Sequence, residues 1–220
     1  MDWSAVVDNA PDLAAGLLVT LRLSLIGACC ALIFGALLAW GLLQGQLWLR
    51  AALRTYIDFV LGLPLLVLIY LLFFILPEYG ITLSSPVVGV TALTLYYGPY
   101  MGEVLRSAFG AIARGQYEAS AALGLRPWQT LRHVLLKQAL PVALPPSIGL
   151  LIGLIKDTAL LSVVAVEEFM YAAKQAISSS YAPLEIYLVV ALAYWLITWS
   201  LDTAAGALER RLHRHRLAKT

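Results

Sequence analysis

From Leu23 to Leu43 the chain carries no Asp, Glu, Lys or Arg. At about 1.5 Å per helical residue, a run of that length crosses roughly 30 Å of hydrocarbon. Comparable runs follow at Phe59 to Leu76, at Ile81 to Gly102, at Ala139 to Ile155 with a continuation Thr158 to Val166, and at Pro183 to Ala205, the last with Glu185 and Asp202 near its ends. Charged residues make up 13% of the chain and hydrophobic ones 61%, whereas a soluble domain is about a quarter charged. The ten-residue alternating segments of an outer-membrane barrel are absent from the sequence. The reading is an all-α integral membrane protein with five transmembrane helices, its second span bent at its start by Gly62-Leu63-Pro64.

Basic residues set the orientation. Arg50 and Arg54 follow the first run, Arg106, Arg114, Arg126, Arg132 and Lys137 lie between the third and fourth, and Arg210, Arg211, Arg214, Arg216 and Lys219 follow the fifth. These are twelve of the fifteen Lys and Arg, leaving Arg22, Lys156 and Lys174. Positive charge marks the cytoplasmic side, so the N-terminus is outside and the C-terminus is in the cytoplasm, which an odd number of spans also requires. The start, MDWSAVVDNAPDLAAG, lacks the basic region of a secretory signal, so the first span is expected to act as an uncleaved insertion signal. Cys29 and Cys30 are adjacent inside that span and read as buried small residues. No domain boundary interrupts residues 1–220, and five spans do not divide into two equal inverted halves. A pathway between paired subunits is the more economical expectation.

The segment GQYEASAALGLRPWQTLRH, residues 115–133, is polar and punctuated, within a cytoplasmic loop of about residues 110–137. Glu118 to Leu123 is rich in helix formers, Gly124 supplies a turn, and Arg126-Pro127 ends one helix and opens the next. Trp128, Leu131, Val134 and Leu135 share one helical face. Two short helices and a sharp turn make a rigid cytoplasmic knob.

These residues resemble the EAA loop of the membrane subunits of binding-protein-dependent ABC importers: Glu118-Ala119, three small residues, Leu123, then Gly124. The likeness is closest to the polar amino acid branch, whose loop opens with Gly-Gln as Gly115-Gln116 does here. Gly16-Leu-Leu-Val-Thr20-Leu-Arg-Leu-Ser24 resembles that branch's first span, Gly98-Pro-Tyr100-Met-Gly-Glu103-Val-Leu-Arg106 its third, and Lys156-Asp157-Thr158-Ala-Leu-Leu-Ser162 its Lys-Asp-Thr/Ser signature. The sequence departs from the pattern at Lys137, often Pro, at Ser120, usually Ala, and at Leu61-Gly62-Leu63-Pro64 opening the second span. The resemblance implies a permease subunit in the bacterial inner membrane, paired with a like chain or a sister permease. Its other partners would be a cytoplasmic ATPase dimer and a periplasmic substrate-binding protein, with no nucleic acid involved.

No ATP site is expected on this chain. Gly110-Ala-Ile-Ala-Arg-Gly115-Gln116 has phosphate-loop glycine spacing without the Lys and Ser/Thr that hold phosphate and Mg²⁺. ATP and Mg²⁺ then belong to the partner ATPase, and Glu118, Ala119, Gly124 and Arg126 form the coupling contact the resemblance implies. Arg126, Arg132 and His133 either pair with acidic groups there or mark the cytoplasmic face. Tyr100, Glu103, Asp157 and Thr158 are the candidate pathway residues: ions within a span tend to face a cavity, Asp157 suits an ammonium, and Gly98-Pro99 frees carbonyls beside Tyr100. Lys156 points about 100° away from Asp157 on a helix. Where the branch that carries basic amino acids shows an Asn-Glu pair, this chain has Gly149-Leu150, which argues for a neutral, acidic or modified amino acid. His213 and His215 read as tail residues with no metal. A secondary transporter or channel is the alternative reading. A membrane enzyme has no clustered catalytic groups to recommend it.

Overall fold

A computed structural model describes residues 3–217, with side chains for residues 3–210. His213 and His215 fall outside the described side chains. A short helix α1 (Ser4–Asp8) precedes α2 (Ala10–Gln44), α3 (Leu47–Leu61) and α4 (Leu65–Tyr70), the last continuing through a π turn and a 3₁₀ turn to Tyr79. Then come α5 (Ser85–Gly110), α6 (Arg114–Ala122), α7 (Pro127–Thr130), α8 (Leu136–Asp157), α9 (Phe169–Ser180) and α10 (Pro183–Leu217). Among the described residues there is no strand.

Three helical stretches are long and apolar enough to cross a bilayer: Ala10–Gln44, Pro127–Val164 and Pro183–Arg210. A fourth candidate is the pair Leu47–Leu61 and Leu65–Tyr79, bent by 106°. The bend lies at the expected Gly62-Leu63-Pro64: Pro64 has no N–H to give and disfavours helical backbone at Leu63. Phe59 to Leu61 therefore sit on the far side of the break from the rest of the second apolar run. α5 is long enough, but its threonines, three tyrosines, Glu103 and Arg106 interrupt its apolar character. It starts at Ser85, with Pro86 where a missing N–H costs nothing.

α2 packs most extensively on α5, and small residues make that possible. Gly16, Thr20, Ser24, Gly27, Ala31 and Gly35 are all buried, three or four residues apart, along one face of α2. A Cβ on Gly35 would lie 2.8 Å from the Gly98 oxygen and the Gly102 nitrogen, and the Phe34 ring occupies the space a side chain at Gly98 would need. The backbones therefore touch at this crossing. Beside it, Leu93, Leu154, Leu161, Ile69, Val164 and Val166 form the main core. Cys29, expected to be buried, is instead exposed, and Cys30 is half-buried.

The loop differs from two short helices. α6 stands alone, but α7 runs through a π turn (Leu131–Leu135) into α8, and a 3₁₀ stretch (Thr158–Val164) carries the same helical path on. The run does not end until Ala165, which stands in left-handed backbone at φ 56°. Pro141, Pro145 and Pro146 are accommodated within the helix.

Candidate functional site

The residue pair at the centre is Tyr97 and Asp157. Tyr97 follows Leu93 by one turn on the buried face of α5, and Asp157 closes α8 where the helix tightens to 3₁₀. The Tyr97 hydroxyl donates to Asp157 Oδ2 at 2.7 Å. Gly153, one turn before Asp157, makes room: a Cβ there would be 3.1 Å from the Tyr97 oxygen. Tyr97 also anchors a tyrosine cluster, with Tyr96 and Tyr97 centroids 5.4 Å apart, Tyr96 and Tyr100 5.4 Å, and Tyr97 and Tyr100 6.4 Å. Tyr100 thus packs in the cluster beside Tyr97, the residue that reaches Asp157.

Glu103 lies elsewhere. Arg54 of α3 meets its Oε1 at 2.9 Å, and Arg106 meets Oε2 at 2.7 Å. Two guanidiniums already engage this carboxylate. Lys156 is exposed. Thr158 is fully buried and its hydroxyl donates back to the Ile155 carbonyl at 2.7 Å, supporting the switch of helix type.

A second carboxylate, Glu168, is fully buried between this helix and α9. It accepts from the amides of Met170 (2.9 Å) and Tyr171 (2.7 Å), capping α9, and from Thr20 of α2 at 3.3 Å. Burial pushes its carboxyl above the usual range, and the two amides and Thr20 oppose that. Gly16 allows the docking, since a Cβ there would lie 2.9 Å from Ala172. The Tyr194 hydroxyl lies against Thr158, Thr20 and Glu168 but closes no well-formed hydrogen bond with them. An open cleft of about 480 Å³, lined by Asn9, Asp12, Glu167, Tyr171 and Gln175 among others, flanks α9 and touches neither Tyr97 nor Asp157.

The loop is a second site, built by local rules. Gly124 has φ 69° with nothing within 4 Å of a would-be Cβ, so the backbone conformation and not crowding calls for glycine. Leu125 N–H donates to the Ser120 carbonyl (3.1 Å) and Gly124 N–H to that of Ala121 (2.9 Å), the paired bonds of a Schellman stop. Arg126 N–H donates to Gln129 Oε1 at 2.8 Å, opening α7. Ser120, where the resemblance expects Ala, is buried and its hydroxyl turns back to the Gln116 carbonyl. Glu118 pairs with Arg114 at 3.2 Å, both well exposed, so the pair adds little stability. Ala119 and Arg126 are exposed too. So are three large apolar side chains, Tyr117, Leu123 and Trp128. Gln138 of α8 donates to Gln116 Oε1 at 3.0 Å, tying α6 to the long helix.

Residues 31–214 match the family described as binding-protein-dependent transport system inner membrane component. The chain belongs to this family. It is 32% identical over 213 residues to the glutamine transport system permease protein GlnP of Escherichia coli (strain K12), covering 96% of this chain and 97% of that protein. It is 31% identical over 215 residues to the L-cystine transport system permease protein TcyB of Bacillus subtilis (strain 168), covering 97% and 92%. The crystal structure of an amino acid ABC transporter with histidines superposes with a TM-score of 0.88 at 26% identity, covering 96% of this chain and 99% of that one.

Of the residues expected from the sequence, Tyr100 lies in the tyrosine cluster beside the Tyr97–Asp157 bond, whereas Tyr97 and Glu168 enter through the fold without having been expected. The i,i+4 pairs Leu93/Tyr97 and Gly153/Asp157 were the available signal for Tyr97. Glu168 gave none, because its neighbour Glu167 is exposed and nothing local separates the two.

Proposed function

We propose that this chain is the permease subunit of an ATP-driven importer, forming the path for a polar amino acid across the bacterial inner membrane. The observation that carries the reading is mechanical. The helical run Pro127–Val164 begins beside the Gly124 turn and includes Asp157, which puts the two about 45 Å apart along one element. Exposed apolar side chains at one end suit a docking surface, and a carboxylate at the other suits an ammonium.

In this reading α5 and the bent α3–α4 pair complete five spans, with the N-terminus periplasmic and the C-terminus cytoplasmic. Glu118, Ala119, Gly124 and Arg126, with Leu123 and Trp128, seat the loop in a cytoplasmic ATPase that binds ATP and Mg²⁺. Closure of the ATPase dimer displaces the loop, and the long helix carries the motion to Asp157 and Thr158. Tyr100 and Tyr97 line the path, while Glu103 braces α5 through Arg54 and Arg106. A periplasmic binding protein delivers the cargo, and a second permease, a like chain or a sister, closes the far side of the pathway. The absence of a carboxylate at Gly149-Leu150 favours a neutral, acidic or modified amino acid, and the glutamine and cystine names of the two relatives agree with that class.

Affinity purification of the tagged chain from membranes tests the reading. An ATPase subunit should co-purify, and Leu123→Asp should release it without lowering the amount of permease in the membrane. Full retention of the ATPase by Leu123→Asp would overturn the docking surface.

A further inference from the structure

Pro99 sits inside α5, buried, with the helix continuing for eleven residues beyond it to Gly110. It has no N–H, so the carbonyl one turn earlier, that of Leu95, loses the donor a helix normally supplies. A carbonyl withdrawn from water and left without a donor is costly. Here the donor comes from another helix: the Tyr56 hydroxyl of α3 donates to the Leu95 oxygen at 3.0 Å. Tyr56 is held for this. Its ring meets Phe34 edge-on at 6.1 Å, within a small cluster containing Leu38, Leu42, Ile57 and Leu53, and Phe34 is the residue that fills the space at Gly98. A second tie reaches the same helix four residues beyond the proline, where Arg54 pairs with Glu103. α3 therefore grips α5 four residues before Pro99 and four residues after it. Between these grips stand Tyr96, Tyr97 and Tyr100.

We infer that Tyr56 is a positioning residue: by supplying the hydrogen bond that Pro99 removes, it sets the local path of α5 and so holds the Tyr97 hydroxyl on Asp157. Its importance for transport rests on the reading of Asp157 as a pathway residue. Tyr97 is two residues from Leu95, so a shift of the helix at the gap displaces its hydroxyl directly. A hydrogen bond of 2.7 Å to a carboxylate tolerates little displacement.

The test uses the full chain in lipid nanodiscs, with aspartate ¹³C-labelled and the Asp157 carboxylate band assigned by infrared difference against Asp157→Asn. Tyr97→Phe defines the band position when the hydroxyl is gone. Tyr56→Phe keeps the ring on Phe34 and should move the band toward the Tyr97→Phe position. In a Pro99→Ala background, where residue 99 again offers an N–H to Leu95, Tyr56→Phe should leave the band where Pro99→Ala alone puts it. A merely structural contribution from Tyr56 would lower thermal stability without this band shift and without dependence on residue 99. An unmoved band in Tyr56→Phe, or an equal shift in both backgrounds, overturns the inference. Uptake by the assembled importer separates it from the pathway reading. If Tyr56→Phe moves the band while Asp157→Asn transports normally, the positioning role stands and the pathway reading falls. If the band stays while Asp157→Asn abolishes uptake, the reverse holds.

Discussion

Tyr97 and Asp157, sixty residues apart in the chain, are joined by a 2.7 Å hydrogen bond between α5 and α8. The bond fastens α5 to the helical run that begins beside the Gly124 turn. Hydrogen bonds to charged groups contribute about 1.5–3 kcal/mol, and on the proposed reading loss of the charge also removes the counter-ion for a substrate ammonium. Asp157→Asn is expected to lower uptake by about a hundredfold at unchanged abundance, and Tyr97→Phe by about tenfold, values that follow from the same range. Uptake normalised to permease in the membrane checks both, and equal, wild-type rates would remove the pair from the pathway.

Gly124 is left-handed at φ 69° in open surroundings. Gly124→Val places a β-branched side chain in that backbone, at a cost of about 1–2 kcal/mol or more. The strain falls on an exposed turn, so insertion and the transmembrane core should survive while ATP-driven uptake is lost. Immunoblotting of membranes beside transport assays separates the two. Normal uptake in Gly124→Val would argue against a coupling role.

Gly35 offers the opposite case, since a Cβ there meets α5 backbone at 2.8 Å. Backbone cannot yield as a side chain tip can, and forced overpacking costs about 1–3 kcal/mol or more. Gly35→Leu should therefore reduce the amount of folded permease, read by fluorescence-detection size exclusion of a tagged chain. A monodisperse peak of wild-type height would show that the α2–α5 crossing can open.

Glu168 caps α9 and takes a hydrogen bond from Thr20. Replacing a cap by Ala costs about 0.5–2 kcal/mol, and here Thr20 and two amides also lose their acceptor. Glu168→Ala should lower the unfolding temperature of the detergent-purified chain, with Glu168→Gln falling between it and the wild type because one acceptor oxygen remains. An unchanged melting temperature in Glu168→Ala would mean that α9 is held by its apolar face alone.

Local signals were read well from the sequence, and long-range pairings were not. The uncharged runs marked the helices, Gly62-Leu63-Pro64 marked the 106° bend, and Gly124 marked the stop of α6, because each acts within a few residues. The limits of elements were less legible. Isolated charges such as Asp12 and Arg22 do not end a helix, so α2 begins at Ala10 rather than Leu23, and no Gly or Pro stands between Pro127 and Pro141, so the second half of the loop merges with the fourth apolar run. The partners of Tyr97 and Tyr56, and the Thr20 that reaches Glu168, lie on other helices. Their spacing along the chain carries no period, and only packing brings them together. The seam of Gly16, Thr20, Ser24, Gly27, Ala31 and Gly35 is visible in the sequence once its three- and four-residue rhythm is counted.

The most direct measurement is uptake of radiolabelled polar amino acids into vesicles loaded with ATP and containing the permease, its ATPase and its binding protein, after the proton gradient is collapsed. Uptake should continue, should stop when ATP is replaced by a non-hydrolysable analogue, and should fail in Gly124→Val. Uptake that disappears with the gradient and ignores ATP would contradict an ATP-coupled permease and point instead to a secondary transporter.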